Sequence, residues 1–155
     1  NLKMSKWKKF EELVKESLEG THHRRIKTRM SGYKGDSEIA DFYAFMDGTL
    51  HYFEVKHTEG DTFPFSMIQP SQLVGLWEAN SHEGVYGSVV LSLGQDEEYY
   101  IIPIESINRM MNDNKMSMNR EDLRQWALPI EKDKGKLPLQ SWMKSIAINQ
   151  KGSKQ

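Results

Sequence analysis

The feature that most constrains this 155-residue chain is the pair Asp47-Gly48, which separates two stretches of alternating apolar and polar residues. Asp-Gly is the preferred pair for a two-residue type I′ turn, so "EIADFYAFMDGTLHYFEVK" is predicted to form a β-hairpin. Once the turn is fixed, each residue of the first strand has one partner in the second strand. The predicted cross-strand pairs include Phe45–Leu50, Tyr43–Tyr52 and Asp41–Glu54.

This register sets two carboxylates opposite each other in an otherwise apolar pair of strands. Side chains alternate along a strand, so Asp41, Glu54 and Lys56 are expected on one face of the hairpin. The residues expected on the other face are Ala40, Phe42, Phe53 and Val55. Directly opposed like charges destabilise a strand pair, but a hard divalent cation between them would offset the repulsion. The pair therefore predicts a Mg²⁺ site, and Lys56 would orient a water molecule or neutralise a phosphate.

Two predicted helices could bring further polar groups to this site. "SKWKKFEELVKESLEG" has the pattern of an amphipathic helix with Ser5 as its N-cap. Glu11 falls on the shoulder of the apolar stripe and Glu12 points nearly opposite, so Glu11 is the acid expected to face the interior. In the second helix, "QPSQLVGLWEAN", Gln72 could position a water molecule. Ordinary roles remain open for both side chains, because an acid near a helix start stabilises the helix and Gln72 could be a polar side chain on the solvent-facing side of its helix.

The remaining segments complete a mixed α/β domain. "GVYGSVVLSLG" and "EYYIIPI" are predicted as two strands joined by a polar turn, and a short basic strand is predicted around Ile26–Met30. "NREDLRQWA" and "LPLQSWMKSIAI" predict small C-terminal helices. The order of elements predicts a central mixed sheet flanked by helices. Helical spacing assigns all four tryptophans to the core: Trp7, Trp77, Trp126 and Trp142.

The composition bounds the class of protein. With 37% hydrophobic and 28% charged residues, the chain is expected to be a soluble globular domain over residues 1–150, followed by a frayed tail at 151–155. It has no cysteine, which excludes disulfides and cysteine-based zinc or redox chemistry. No apolar run approaches the length of a membrane span, and "NLKMSKWKKFEE" lacks the apolar core of a signal peptide. We therefore expect a cytoplasmic protein.

The net charge of −1 conceals an asymmetry. Residues 1–34 carry ten Lys and Arg against four Asp and Glu, which leaves roughly −7 on the rest of the chain. A basic arm beside an acidic centre suits a protein that holds polyanions at its edge, although charge runs are often only solvated faces. The run "HHRRIKTR" could contact DNA phosphates. Its candidate DNA-binding residues are Arg24, Arg25, Lys27 and Arg29.

The acidic residues and the sequence around them resemble a known group of nucleases. The order Glu11, Asp41, Glu54-Val55-Lys56 is similar to the PD-(D/E)XK nuclease superfamily, which has a restriction-endonuclease-like α/β fold. "FEVKHTEGDTFPFSMIQPSQLVGL" resembles RecU-type Holliday junction resolvases, in which an F-E-x-K strand leads through an F-P loop to a helix bearing a Gln. Weaker likeness continues through "YYIIPIESI" and "LRQWALPI". This chain has Ala40 before the Asp where the superfamily has Pro.

The resemblance implies a Mg²⁺-dependent homodimer, with Mn²⁺ as a substitute, that cuts four-way DNA junctions, and it is compatible with a phage or other mobile element as the source. The implied catalytic residues are Glu11, Asp41, Glu54, Lys56 and Gln72, and the implied metal ligands are Asp41, Glu54 and Val55. RecU proteins carry a long stalk between the first helix and the Asp, for which residues 20–40 are too few. Two alternatives stay open: a nuclease for flaps, single strands or duplex, and a non-catalytic module that binds nucleic acid or a recombinase.

Overall fold

The computed structural model describes residues 4–26 and 39–153. None of the helices described there is long and apolar enough to cross a membrane. The helices are α1 (Lys6–Ser17), α2 (Pro70–Asn80), α3 (Ile104–Asn112), α4 (Arg120–Trp126) and α5 (Leu139–Ser153), with a 3₁₀ turn at Phe65–Met67. The strands are β1 (His22–Arg25), β2 (Phe42–Met46), β3 (Thr49–Thr58), β4 (Thr62–Pro64), β5 (Val85–Leu93), β6 (Glu98–Pro103), β7 (Ser117–Asn119) and β8 (Leu128–Ile130).

The predicted hairpin is formed by β2 and β3. Asp47 and Gly48 both have positive φ, 52° and 82°, as a type I′ turn requires. Phe45 pairs with Leu50 and Tyr43 pairs with Tyr52, as the two-residue turn predicts. The register of the site strand is therefore set locally by the turn.

A six-stranded mixed sheet forms the centre of the fold, in the order β1-β2-β3-β5-β6-β8. All its neighbours are antiparallel except β3 and β5, which are parallel over Leu50–Thr58 and Val85–Leu93. A parallel pair needs a crossover, and the segment containing α2 supplies it. The short strands β4 and β7 pair in a separate two-stranded sheet. The expected central mixed sheet flanked by helices is confirmed.

Two apolar clusters cover the two faces of the sheet. One contains Phe42, Phe53 and Val55 of the hairpin together with side chains of α1 and α5. The other joins the opposite face of β5 and β6 to α2, α3 and α4. Because β3 is covered on both faces, a charged side chain on it is withdrawn from water unless it reaches the edge of the sheet.

Some expectations fail where local pattern and tertiary packing diverge. The basic strand begins at His22 and ends at Arg25, earlier than predicted; Ile26 follows it, and 27–30 lie outside the described residues. Ala40 packs in the cluster that contains α2, because β2 begins only at Phe42 and strand alternation does not extend back to it.

The assignment of every tryptophan to the core is wrong for two of the four. Trp126 and Trp142 pack against the apolar clusters. Trp7 is 38% exposed at the first turn of α1, and Trp77 is 44% exposed on α2. Helical spacing gives the face on which a residue lies, but it does not say how far the neighbouring sheet reaches along that face.

We expect Gly87→Ala to destabilise the fold, because α2 lies against the backbone of β5 at this glycine. A Cβ at position 87 would stand 2.9 Å from the carbonyl oxygen of Leu76 and 3.3 Å from its side chain. Overpacking of this kind costs about 1–3 kcal/mol. Thermal unfolding of Gly87→Ala should show a lower Tm. Gly60→Ala is the matched control, since its Cβ would meet only Thr58 Oγ1 at 3.7 Å; equal melting of the two variants would contradict this packing.

Candidate active site

The site begins with a hydrogen bond that continues the sheet beyond the end of β2. Where β3 continues without β2 beside it, the Val55 N–H donates to Asp41 Oδ2 at 2.7 Å. The Asp41 N–H donates to the Phe53 carbonyl at 3.1 Å. The Asp41 side chain thus occupies the position of a missing strand partner, and its carboxylate is held beside Glu54 at the edge of the sheet that is formed where β2 ends.

Glu54 is almost completely buried at this edge, with 1% of its surface exposed. Burial raises its pKa to about 8, the neighbouring Asp41 carboxylate adds to the rise, and the Lys56 ammonium opposes it. Lys56 Nζ lies 3.4 Å from Glu54 Oε2. The other oxygen, Oε1, is buried and has no hydrogen-bond partner. A buried oxygen without a partner is costly, and a cation at this position would satisfy it.

The donor atoms fit a hard divalent cation. Asp41 and Glu54 offer carboxylate oxygens, and the Val55 carbonyl lies on the same side of β3 as its N–H, which faces Asp41. Oxygen donors are the ligands that Mg²⁺ and Mn²⁺ prefer. Among the described residues, no three His, Asp or Glu side chains are grouped to hold a metal ion. Mg²⁺ can be held by one or two carboxylates, since it usually keeps several waters and binds substrate phosphates.

Glu11 faces this edge from α1, as the helical wheel predicts, and is 6% exposed. Burial raises its pKa; the charge of Arg25 opposes that rise, and the charge of Asp41 adds to it. Arg25 Nη2 lies 3.2 Å from Glu11 Oε1 and 2.9 Å from Glu12 Oε1. The Arg25 guanidinium also lies over the Phe42 ring, 5.3 Å from its centroid. Glu11 is thus close enough to Asp41 for the two charges to interact, and Arg25 is the counter-ion of Glu11.

The other predicted site residues are placed differently. Gln72 Oε1 accepts a hydrogen bond from the Gln69 N–H at 3.4 Å, so its amide caps the start of α2. The Arg24 guanidinium is exposed and donates to the neighbouring His23 carbonyl at 2.9 Å. Lys27 and Arg29 lie outside the described residues.

Sequence reasoning missed the role of Arg25 as the partner of Glu11. Its signal was weak, because an arginine in a basic run gives no indication that it pairs with two acids on the preceding helix. The ring of His51 is packed, with stacked contacts to Phe53 and Tyr86. His57 lies on the same face of β3 as His51 and bonds through Nδ1 to Ser92 Oγ at 3.0 Å.

A mixed sheet flanked by helices, with an Asp and a Glu-x-Lys strand meeting at its edge, defines the restriction-endonuclease-like class of fold. A model of the family "Recombination protein U" (RecU) matches residues 13–145, and the chain belongs to that family.

Among solved structures, the chain is similar to Hjc of Archaeoglobus fulgidus, described as a Holliday junction resolvase from an archaeal hyperthermophile. The TM-score is 0.57 at 17% identity, over 78% of this chain and 93% of that one. At this identity the likeness establishes the fold. No curated protein matches the chain by sequence.

Without metal, Glu54 should make the protein less stable as the pH rises from about 4.5 to about 8. Folded Glu54 keeps its proton up to about pH 8, whereas an unfolded glutamate loses it near 4.5. Between these values the folded state binds more protons, so the free energy of unfolding decreases with pH. We expect Glu54 to contribute a loss of at least about 1 kcal/mol, or about 2–4 °C in Tm. Below about pH 6.5 the lowered pKa of buried His51 contributes in the opposite sense, so the loss is measured as the difference between Glu54→Gln and the wild type.

Glu54→Gln should remove this loss, as measured by urea unfolding in a chelator across that pH range. Glu98→Gln is the control, because its hydrogen bond to Arg120 lowers the Glu98 pKa and confines its effect to acidic pH. An unchanged pH slope in Glu54→Gln would show that Glu54 is not the group responsible.

Proposed function

We propose that this protein is a Mg²⁺-dependent endonuclease that resolves four-way DNA junctions by hydrolysis of phosphodiesters. Its membership in the RecU family supports a role in recombination. The description of Hjc as a Holliday junction resolvase, on the same fold, supports the class of substrate. The site itself supports the reaction class, since it joins oxygen donors for a metal to a lysine at an open edge of the sheet.

The observation that most supports this proposal is the burial of the Glu54 carboxyl group beside Asp41. Glu54 is buried beside a second carboxylate, and when it is ionised its Oε1 has no hydrogen-bond partner, so without a cation the Glu54 carboxyl keeps its proton and bonds to Asp41. Such an arrangement is unfavourable in the protein alone and becomes favourable around a cation. Functional sites are where costs of this kind are found.

In this proposal Asp41, Glu54 and the Val55 carbonyl hold the metal ion. When bound, Mg²⁺ supplies polarisation of the phosphodiester and a lower pKa for an attacking water. The Lys56 side chain is 21% exposed, so its ammonium can donate to water or phosphate from the protein side while it remains near Glu54. Glu11 adds a second acid to the edge, and Gln72 would leave its capping bond in order to position water.

A four-way DNA junction as substrate implies roles for the basic residues near β1 and for a second copy of the chain. Arg24 and Arg25, on the edge strand β1, would contact phosphates together with Lys27 and Arg29. A four-way junction needs two symmetric cuts, which a homodimer would provide. The segment between α1 and Asp41 is too short for the stalk of other RecU proteins, so its basic residues would supply phosphate contacts in the stalk's place.

Asp41→Asn and Lys56→Ala should each lower the rate of DNA cleavage by at least about 100-fold. Asparagine retains an oxygen that can accept from the Val55 N–H and removes a like charge beside Glu54, so the Tm of Asp41→Asn should not fall. Asp113→Asn and Lys144→Ala are matched controls at exposed positions, and both should cleave like the wild type. Unaltered cleavage in the site variants would refute the assignment of these residues.

The substrate is tested by single-turnover cleavage of a four-way junction, a flap and a linear duplex of the same sequence in Mg²⁺. We expect the junction to be cut at least about tenfold faster than the duplex, with paired symmetric nicks. Equal rates on all three would overturn the resolvase proposal and leave a general nuclease. Binding of DNA with no cleavage in either Mg²⁺ or Mn²⁺ would identify a non-catalytic module.

A further inference from the structure

A cavity of about 310 Å³ lies between α1 and the turn that joins β5 to β6. This volume is at the lower end of the range of small-ligand pockets, about 300–1,000 Å³. Its floor includes His57 of β3, Ser92 of β5 and Tyr99 of β6, three neighbouring strands of the sheet. The cavity is therefore built by the rigid centre of the fold and one helix.

The cavity is lined by apolar side chains on one part of its surface and by lysines on another. Phe10 and Tyr99 are stacked, with ring centroids 5.5 Å apart, and Leu13 adds a further apolar contact from α1. Lys6, Lys9 and Lys132 also line the cavity, against a single acid, Glu97. Lys6 pairs with Glu59 and Lys132 pairs with Glu97. Within the described part of the chain, no ion pair engages Lys9, which leaves one exposed cation for an anionic ligand.

The floor supplies polar atoms at a fixed position. His57 Nδ1 and Ser92 Oγ are 3.0 Å apart and hold each other in place across β3 and β5. An apolar wall, a small fixed polar pair and a free ammonium suit a ligand with a flat ring, a hydrogen-bonding edge and a phosphate. A nucleotide has all three.

The cavity lies beside the proposed active site but on the other face of β3. Lys56 points toward the carboxylates, and His57, the next residue, points into the cavity. Consecutive Cα atoms are about 3.8 Å apart, so the His57 end of the cavity lies one residue along β3 from Lys56, on the opposite face. A DNA strand rises about 3.4 Å per nucleotide along the helix axis, so the cavity is within reach of a nucleotide two or three positions from the scissile phosphate.

We propose that this cavity receives one unpaired nucleotide of the bound DNA, two or three positions from the phosphate that is cut. The base enters between α1 and the β5–β6 turn, and Lys9 neutralises the adjoining phosphate. Branched DNA is suited to this, because bases next to a branch point cost less to unpair than bases within a duplex. The choice of ligand rests on the proposed function, and the cavity would then contribute to the preference for branched over linear DNA.

The test places 2-aminopurine, a fluorescent base, at each of the four positions on either side of the cut in a four-way junction. Binding is measured in a chelator, so no cleavage is required. We expect increased fluorescence at one position with wild-type protein. That signal should be lost in Leu13→Trp, which fills the cavity, and reduced in Lys9→Gln. Lys15→Gln, on the same helix and outside the cavity lining, is the matched control and should behave as the wild type.

Affinity and cleavage give the second readout. In Leu13→Trp and Lys9→Gln the KM for the junction should rise about tenfold, as expected for loss of one base contact, with kcat within about twofold. An abasic site at the responsive position should weaken wild-type binding by a similar factor. If the abasic junction binds as tightly as the intact one, or no position responds, the cavity does not hold a base and this inference is wrong. A positional signal without any cleavage would instead contradict the proposed nuclease activity and leave the nucleotide site standing.

Discussion

The hydrogen bond from the Val55 N–H to the Asp41 carboxylate is the interaction on which the site depends. At this point β2 has ended and β3 continues, so the Val55 N–H would have no backbone partner on that side. Leaving a buried N–H without a partner costs about 1–3 kcal/mol. The Asp41 side chain removes that cost, and the same bond fixes its carboxylate next to Glu54. One side chain therefore both completes the sheet and builds the site.

Strand β3 organises the rest of the molecule, because its two faces serve different purposes. Glu54 and Lys56 are directed toward the edge where Asp41 lies, whereas Val55 and His57 are directed toward α1. The period of two in a strand gives this separation without any irregularity in the backbone. A single register, fixed by the Asp47-Gly48 turn, sets both faces at once, so a slip of one residue would exchange them.

The sequence was informative where structure is local and less so where it is not. The turn determined the β2–β3 register, and the wheel of α1 placed Glu11 inward, because both depend only on neighbouring residues. The parallel pairing of β3 with β5 joins segments more than thirty residues apart and has no local signal. The exposure of Trp7 and Trp77 depends on where the sheet ends beneath each helix, which periodicity does not encode.

The sequence also could not reveal that single side chains have two competing uses. The sequence left two roles open for Gln72, a catalytic one and an ordinary one in its helix. In the structure Gln72 accepts a hydrogen bond from the Gln69 N–H at the start of α2. A 3.4 Å bond to an exposed amide is weak, so this cap does not prevent the side chain from turning toward a substrate.

Arg25 also has two competing uses, since its guanidinium already pairs with Glu11 and Glu12 and is proposed to contact a DNA phosphate. It cannot fully serve a DNA phosphate and both acids at once. The Arg25 side chain is 38% exposed, but Glu11 is buried, so the surface ion-pair value of about 0–1 kcal/mol applies to the pair with Glu12 and not to the pair with Glu11. When Arg25 turns to a phosphate, Glu11 loses its counter-ion while it still faces Asp41. Burial and the Asp41 charge already raise the pKa of Glu11, so without Arg25 the Glu11 carboxyl would take up a proton more readily, and its negative charge at the site depends on Arg25.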